Sequence, residues 1–160
     1  MRLLALTPVI AVLLAGCSFS AGPEEANKVL AARAFEEILS KGNFERASEL
    51  YDQNFVNHGL HRDRSLTEDM DAAKGWRLAF PDGKTEVQQM VADKDLVSVL
   101  WVARGTNTGS GGGLPATGKA AELRGITIWR MLDGRIREEW SAFDQLSLMR
   151  QLGLLPSSGQ

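Results

Sequence analysis

Hydrophobic positions recur every three to four residues over the first half of the chain and every second residue over much of the second, so the pattern predicts helices first and strands second. From Glu24 onward Val29, Leu30, Ala34, Phe35, Ile38 and Leu39 fall at helical spacing, with Glu36 and Glu37 outside and Gly42 as the stop. Asn43 is placed to cap a shorter helix through Tyr51, carrying Phe44, Ala47 and Leu50 on its apolar side. Residues 55–58 form a brief extended piece ended by Gly59. After a charged loop, Thr67 and its acidic followers open a third helix that bears Met70, Ala73, Trp76, Arg77 and Phe80 and stops before Pro81-Asp82-Gly83. Residues 85–92 and 96–104 have strand composition about the turn formers Asp93-Lys94-Asp95, and a glycine-rich loop, residues 105–113, follows. Residues 144–152 are an amphipathic last helix through Leu146, Met149 and Leu152, with Gly153 as its stop.

The sharpest local signal is Asp133-Gly134 between two apolar-rich arms, because a two-residue hairpin turn needs positive φ, which Asp and Gly tolerate. A regular hairpin about this pair sets Leu132 opposite Arg135, Trp129 opposite Glu138 and Thr127 opposite Trp140. Alternation then gives one face Leu123, Thr127, Trp129, Met131, Ile136, Glu138 and Trp140, with Asp144 continuing that register. The opposite face carries Arg124, Ile126, Ile128, Arg130, Arg137 and Glu139. Helices followed by an antiparallel meander indicate an α+β fold with helices laid across one face of a curved sheet.

The first residues depart from this pattern. Residues 3–16 are almost wholly apolar, preceded by Arg2 and followed by Cys17, an export signal too short to span a bilayer comfortably. Leu14-Ala15-Gly16-Cys17 reads as a bacterial lipobox, with an ordinary signal peptide and a chance Cys as the plainer alternative. The expected organisation is a signal peptide over 1–17 with Cys17 as the lipidation site, a tether over 18–23, one domain over 24–156 and a disordered tail over 157–160. The expected location is the bacterial cell envelope, with the membrane reached through the lipid anchor only. Cys17 is the sole cysteine, so the mature domain has no disulfide and no thiol nucleophile. Formal charge is −2, or −3 once Arg2 is removed, and there is no basic run, so nucleic-acid binding has no electrostatic footprint.

Several candidate chemistries are poorly supported. The glycine-rich loop is followed by Pro115 and a strand instead of a helix and lacks a phosphate-binding fingerprint. His58 and His61 are spaced as a metal pair, but Gly59 opposes a helix there and no third ligand is evident, so no metal and no cofactor are expected. No nucleophile elbow or triad spacing exists. Carboxylates on a hydrophobic face remain. An Asp at the rim of a Trp-lined cavity is partly desolvated, the condition under which a carboxylate becomes a useful base, and this nominates Asp144, with Glu138 behind it. Asp144 also fits a helix N-cap before Gln-Leu-Ser, and the two roles are compatible. His58, after an apolar strand, is either a pocket residue or a buried imidazole satisfied by one hydrogen bond. Trp129 and Trp140 fit both a core and a planar-ligand wall.

Taken in order, Lys41-Gly42-Asn43, Phe55-Val56-Asn57-His58, Ala79-Phe80-Pro81-Asp82, the loop Arg104 to Gly109, Leu114 to Lys119, Trp129-Arg130, Asp133 to Ile136, Glu138 with Trp140 and Asp144, and Gln151-Leu152-Gly153 resemble the SnoaL-like polyketide cyclase (ester cyclase) family of the NTF2-like cone fold. The resemblance spans residues 27–156. It implies a cofactor-free pocket between the concave sheet face and the helices, with an Asp near the end of the last strand as general acid/base in an aldol ring closure. Asp144 looks like that position, and His58 stands where family members often place a polar pocket residue. Related sequences often carry a His in the Gly-Thr-x-Thr-Gly loop, where this chain has Asn107. The expected site is therefore Asp144 and His58 as catalytic groups, with Trp76, Phe80, Asn107, Trp129, Glu138 and Trp140 around a small hydrophobic ligand. A non-catalytic binding or dimerisation domain on the same cone is the alternative. A homodimer is expected through the outer sheet face, where Ile126 and Ile128 would meet solvent.

Overall fold

The computed structural model describes residues 22–59 and 61–156, so the signal segment, Cys17, most of the tether and the tail lie outside the described residues. Gly22 precedes α1 (Pro23–Ala34), with Pro23 at the first helical position and Glu24 and Glu25 in the first turn, a favourable start for the helix dipole. The chain continues as a π-helical turn, Phe35–Ser40, which points Phe35 and Ile38 inward. Burial follows Ala31, Ala34, Phe35 and Ile38, while Val29, expected on the apolar face, is 62% exposed.

The helix expected over 43–51 shrinks to a 3₁₀ turn, Phe44–Arg46, and one turn of α2 (Ala47–Leu50). Tyr51 already belongs to β1 (Tyr51–His58), because its backbone pairs with Ile136 across the sheet. The charged loop forms a short strand, β2 (Asp63–Ser65), antiparallel to β1. The third helix, α3 (Leu66–Ala79), starts one residue before Thr67. Ser65 caps it, accepting from the Glu68 backbone N–H, while the Glu68 side chain returns to the Ser65 N–H.

The second half follows the predicted order: β3 (Lys84–Asp93), β4 (Leu96–Thr106), β5 (Ala120–Leu132), β6 (Arg135–Phe143) and α4 (Gln145–Gln151). Six strands form one curved, unclosed sheet in the order β2-β1-β6-β5-β4-β3. The sheet is mixed, not wholly antiparallel, because β1 runs parallel to β6. The core lies between its concave face and the helices, with Phe35, Tyr51, Phe80, Val97, Val99, Trp129 and Ile136 buried. Trp129 sits 5.0 Å from Phe35 and edge-on to Tyr51 at 6.3 Å.

The Asp133-Gly134 turn forms as predicted, with φ of 50° and 72°, both in the left-handed region. Leu132 faces Arg135 and Met131 faces Ile136, and there the regular register stops. Arg137 is an extra residue on β6, its guanidinium 2.5 Å from Asp52 of β1. Beyond it Arg130 faces Glu138, Trp129 faces Glu139, Ile128 faces Trp140 and Thr127 faces Ser141. One inserted residue turns every later side chain to the other face. The expected pairs Trp129–Glu138 and Thr127–Trp140 are therefore corrected. Glu139 and Ser141 point into the concave face, and Glu138 and Trp140 point away from it.

Candidate active site

Between α3, the inner strands of the sheet, α4 and the turn at residues 111–114 lies a cavity of about 330 Å³, at the small end of the range for sites that take small molecules. Its apolar wall includes Leu39, Phe44, Trp76, Trp101, Leu114 and Leu148. The turn approaches α3 so closely that a Cβ on Gly75 would stand 2.8 Å from the Gly112 nitrogen, so glycine on both sides is what closes this wall.

Five polar residues of the cavity come together from four elements. Asn57 is on β1, Arg64 on β2 directly opposite Asn57, Asp69 in the first turns of α3, and Glu139 with Ser141 on β6. The Asn57 amide joins the two carboxylates, donating to Asp69 Oδ1 at 2.7 Å and to Glu139 Oε1 at 3.1 Å. Ser141 Oγ donates to Glu139 Oε1 at 2.7 Å, and Trp129 Nε1 donates to Glu139 Oε2 at 2.8 Å. Thr127 Oγ1 sits 2.8 Å from Ser141 Oγ and accepts from Trp101 Nε1 at 3.0 Å. Each side chain in this chain of contacts is fixed by the next.

Burial dominates the electrostatics. Glu139 is 9% exposed, and its carboxyl is pushed up to about 7, first by loss of solvent and then by the neighbouring Asp69 charge, against the Trp129 and Ser141 hydrogen bonds. Asp69 is raised too, again chiefly by burial, with the Asn57 hydrogen bond opposing. Two carboxyls held close by one amide in a low-dielectric pocket do not both ionise easily, so the pair is suited to holding one proton and passing it on.

The residues expected at the site divide. Trp76 lines the cavity, and Phe80, fully buried, stacks behind it at 4.2 Å. Trp129 is core, and its indole N–H meets the cavity's carboxylate. Asn107 does not reach the cavity. It is fully buried, donating to the Ala79 and Gly109 carbonyls and accepting from the Thr117 backbone N–H and hydroxyl, so it pins the glycine-rich loop to the end of α3. Asp144, expected to face the cavity, is exposed at the start of α4, where its carboxylate accepts from the Ser147 N–H at 2.9 Å.

His58 lies on the outer face of β1, one residue past the inward Asn57, and with it are two other expected site residues. Its ring stacks on Trp140 at 4.7 Å, with Nε2 3.0 Å from Glu138 and Nδ1 3.2 Å from Asp63. These carboxylates, Glu138 foremost, raise its pKa. Glu138 also pairs with Arg130 at 3.3 Å. Among the described residues no three His, Cys, Asp or Glu side chains form a group that would hold a metal ion.

Asn57, Arg64, Asp69, Trp101, Glu139 and Ser141 were not among the expected site residues. One signal for Asn57 was available: if Phe55 points into the core, alternation puts Asn57 beside it and His58 outside. No comparable signal existed for Glu139, since regular alternation from Ile136 puts Glu138 and Trp140 inward.

The profile of the SnoaL-like polyketide cyclase family matches residues 29–152. Curated proteins returned no match. Among solved structures the chain is similar to AclR, a proposed hydroxylase from Streptomyces galilaeus, with a TM-score of 0.77 at 21% identity over 86% of this chain and 87% of that one. It is similar to IdmH, a proposed polyketide cyclase from Streptomyces antibioticus, with a TM-score of 0.70 at 28% identity over 79% and 98%. A proposed SnoaL-like polyketide cyclase from Jannaschia sp. CCS1 gives a TM-score of 0.76 at 20% identity over 86% and 99%.

Proposed function

Because the chain belongs to the SnoaL-like polyketide cyclase family, we propose that it carries out cofactor-independent acid/base chemistry on a small hydrophobic carbonyl compound. The role expected of Asp144 passes in this reading to Glu139. The observation that carries it is the Asp69–Asn57–Glu139 bridge in a mostly apolar cavity. Glu139, poised near neutrality, takes a proton from the carbon next to the carbonyl, and Asp69 sets the charge against which it does so. Asn57, Ser141 and Trp129 hold the carboxylate in place, and Trp76 and Trp101 form flat walls for a planar substrate. The similarity to polyketide cyclases supports an intramolecular ring closure as the reaction class.

The test is a Glu139→Gln variant assayed on aromatic ester and diketone substrates. Turnover should fall at least about a hundredfold, the usual contribution of a positioned general base, while ligand binding measured by quenching of the cavity tryptophans persists. Full activity in the variant would sink the assignment. Ligand binding by the wild type without turnover of any such compound would favour the binding-domain reading.

The same proposal includes a homodimer of an exported, lipid-anchored protein. Support for the dimer comes from the outer sheet face, where Leu100, Ile126 and Ile128 form an exposed apolar strip across β4 and β5. Support for the anchor comes from the sequence around Cys17 alone.

A further inference from the structure

Two arginines line the cavity, and they differ in one respect. Arg77 is committed to the fold, donating to the Gly83 carbonyl at 2.5 Å and to the Ser40 carbonyl at 2.6 Å. Arg64 is not. Its Nε is buried and has no hydrogen-bond partner among the described residues, and its Nη2 stands 3.9 Å from Asp69 Oδ1, beyond hydrogen-bond reach. A buried, unpaired guanidinium N–H is costly, and native structures rarely keep one without use. Arg64 faces the cavity from β2, opposite Asn57, which binds both Asp69 and Glu139. The polar cluster therefore holds two carboxylates, one amide and one guanidinium with donors to spare.

We infer that Arg64 binds the substrate oxygen that becomes negative during the reaction, so that the substrate is a carbonyl compound able to form an enolate with its oxygen toward β2. This rests on the acid/base reading of Glu139. In the step, the carbon–hydrogen bond next to the carbonyl breaks and the proton passes to the Glu139 carboxylate. The electron pair forms a carbon–carbon double bond, and the carbonyl π pair moves onto the oxygen, which faces the guanidinium. Return of the proton to carbon closes the cycle; in a ring closure the enolate carbon instead attacks a second carbonyl of the same molecule, the first carbonyl re-forms, and the new alkoxide oxygen takes the proton back from Glu139, without any other reactant. The Arg64 side chain is 37% exposed, but its Nε is buried, and a cation beside developing charge is an effective form of transition-state stabilisation. The planar fork suits an oxygen anion better than a lysine ammonium does.

A binding experiment separates this from the reaction itself. 4-Nitrophenol is flat, and its ionised form absorbs visible light, so its protonation when bound is read directly. In the wild-type protein, bound 4-nitrophenol should ionise at lower pH than in free solution. In Arg64→Met the ionised form should bind about tenfold more weakly or worse, and bound nitrophenol should ionise at higher pH than in the wild type. Arg64→Lys, which keeps the charge and is the milder change should the Met variant fail to fold, should fall between them. An unchanged ionisation in both variants would overturn the inference, as would failure of the wild type to bind the ionised form. Glu139→Gln in the same assay distinguishes the two claims. Retained preference for the ionised phenol there, with turnover unaffected by that substitution, would remove the acid/base reading and leave Arg64 as an oxyanion site.

Discussion

At the scale of single residues, Glu139 carries the most consequence. Its pKa is raised from 4.5 to about 7 on folding, so the folded state binds the proton more tightly than the unfolded chain. Such a group stabilises the fold fully below its unfolded pKa and loses that contribution as pH rises through its folded pKa. The wild type should therefore lose stability relative to Glu139→Gln between about pH 4.5 and about pH 7, by on the order of 3 kcal/mol. Urea unfolding of both proteins at about pH 5 and about pH 8 checks this. His58, also raised, contributes to both proteins alike and cancels in the comparison. Glu37, lowered to about 2 by its Asn43 and Lys41 hydrogen bonds, acts at more acidic pH and also cancels. Asn57 and Asn107 show how little a residue type says by itself. Both are buried asparagines, yet one joins two cavity carboxylates and the other satisfies a loop backbone.

At the scale of elements, the decisive one is the β5–β6 hairpin. Its turn was legible because Asp133-Gly134 meets a steric requirement for positive φ. Its bulge was not legible, because nothing in Arg135-Ile136-Arg137-Glu138-Glu139-Trp140 requires an extra residue. The bulged residue bonds to Asp52 on a strand more than eighty positions away, which local sequence does not display. Deleting Arg137 should close the bulge while Glu139 stays opposite Trp129 and inward, so ligand quenching of the cavity tryptophans should persist while thermal unfolding reports the lost contact with Asp52. Asp144 belongs to the same scale, as the cap that ends β6 and starts α4. Asp144→Ala should cost about 1 kcal/mol of stability, the usual value of an N-cap, and leave ligand affinity unchanged, readable by thermal unfolding beside a binding titration. A large loss of turnover with an intact fold would return Asp144 to the chemistry.

At the scale of the whole molecule, the sheet has two faces with different surroundings. The concave face holds the cavity and its polar cluster. The outer face joins the apolar strip to the cluster of His58, Glu138, Arg130 and Trp140. Ile126 is 48% exposed there, and a second copy of this chain on that face would cover it. Sedimentation should give a dimer in the wild type and a monomer in Ile126→Lys, and a monomeric wild type would remove the dimer from the proposal. The proposed lipid anchor predicts that the wild type fractionates with membranes and that Cys17→Ser does not, and a wild type found in the soluble fraction would remove the anchor from the proposal.

The sequence by itself determined the α+β order of elements, the hairpin turn and the membership of the family, because these rest on periodicity, turn sterics and an ordered set of short motifs. It also supplied Trp76 as a cavity wall, since the spacing of α3 sets which side chains share a face. Only the tertiary structure decided which carboxylates meet. Glu139, Asp69 and Asn57 come from a strand, a helix and another strand, and their meeting depends on one inserted residue and on a parallel pairing of β1 with β6. Alternation along a strand fixes which residues share a face, but a single bulge decides which face that is.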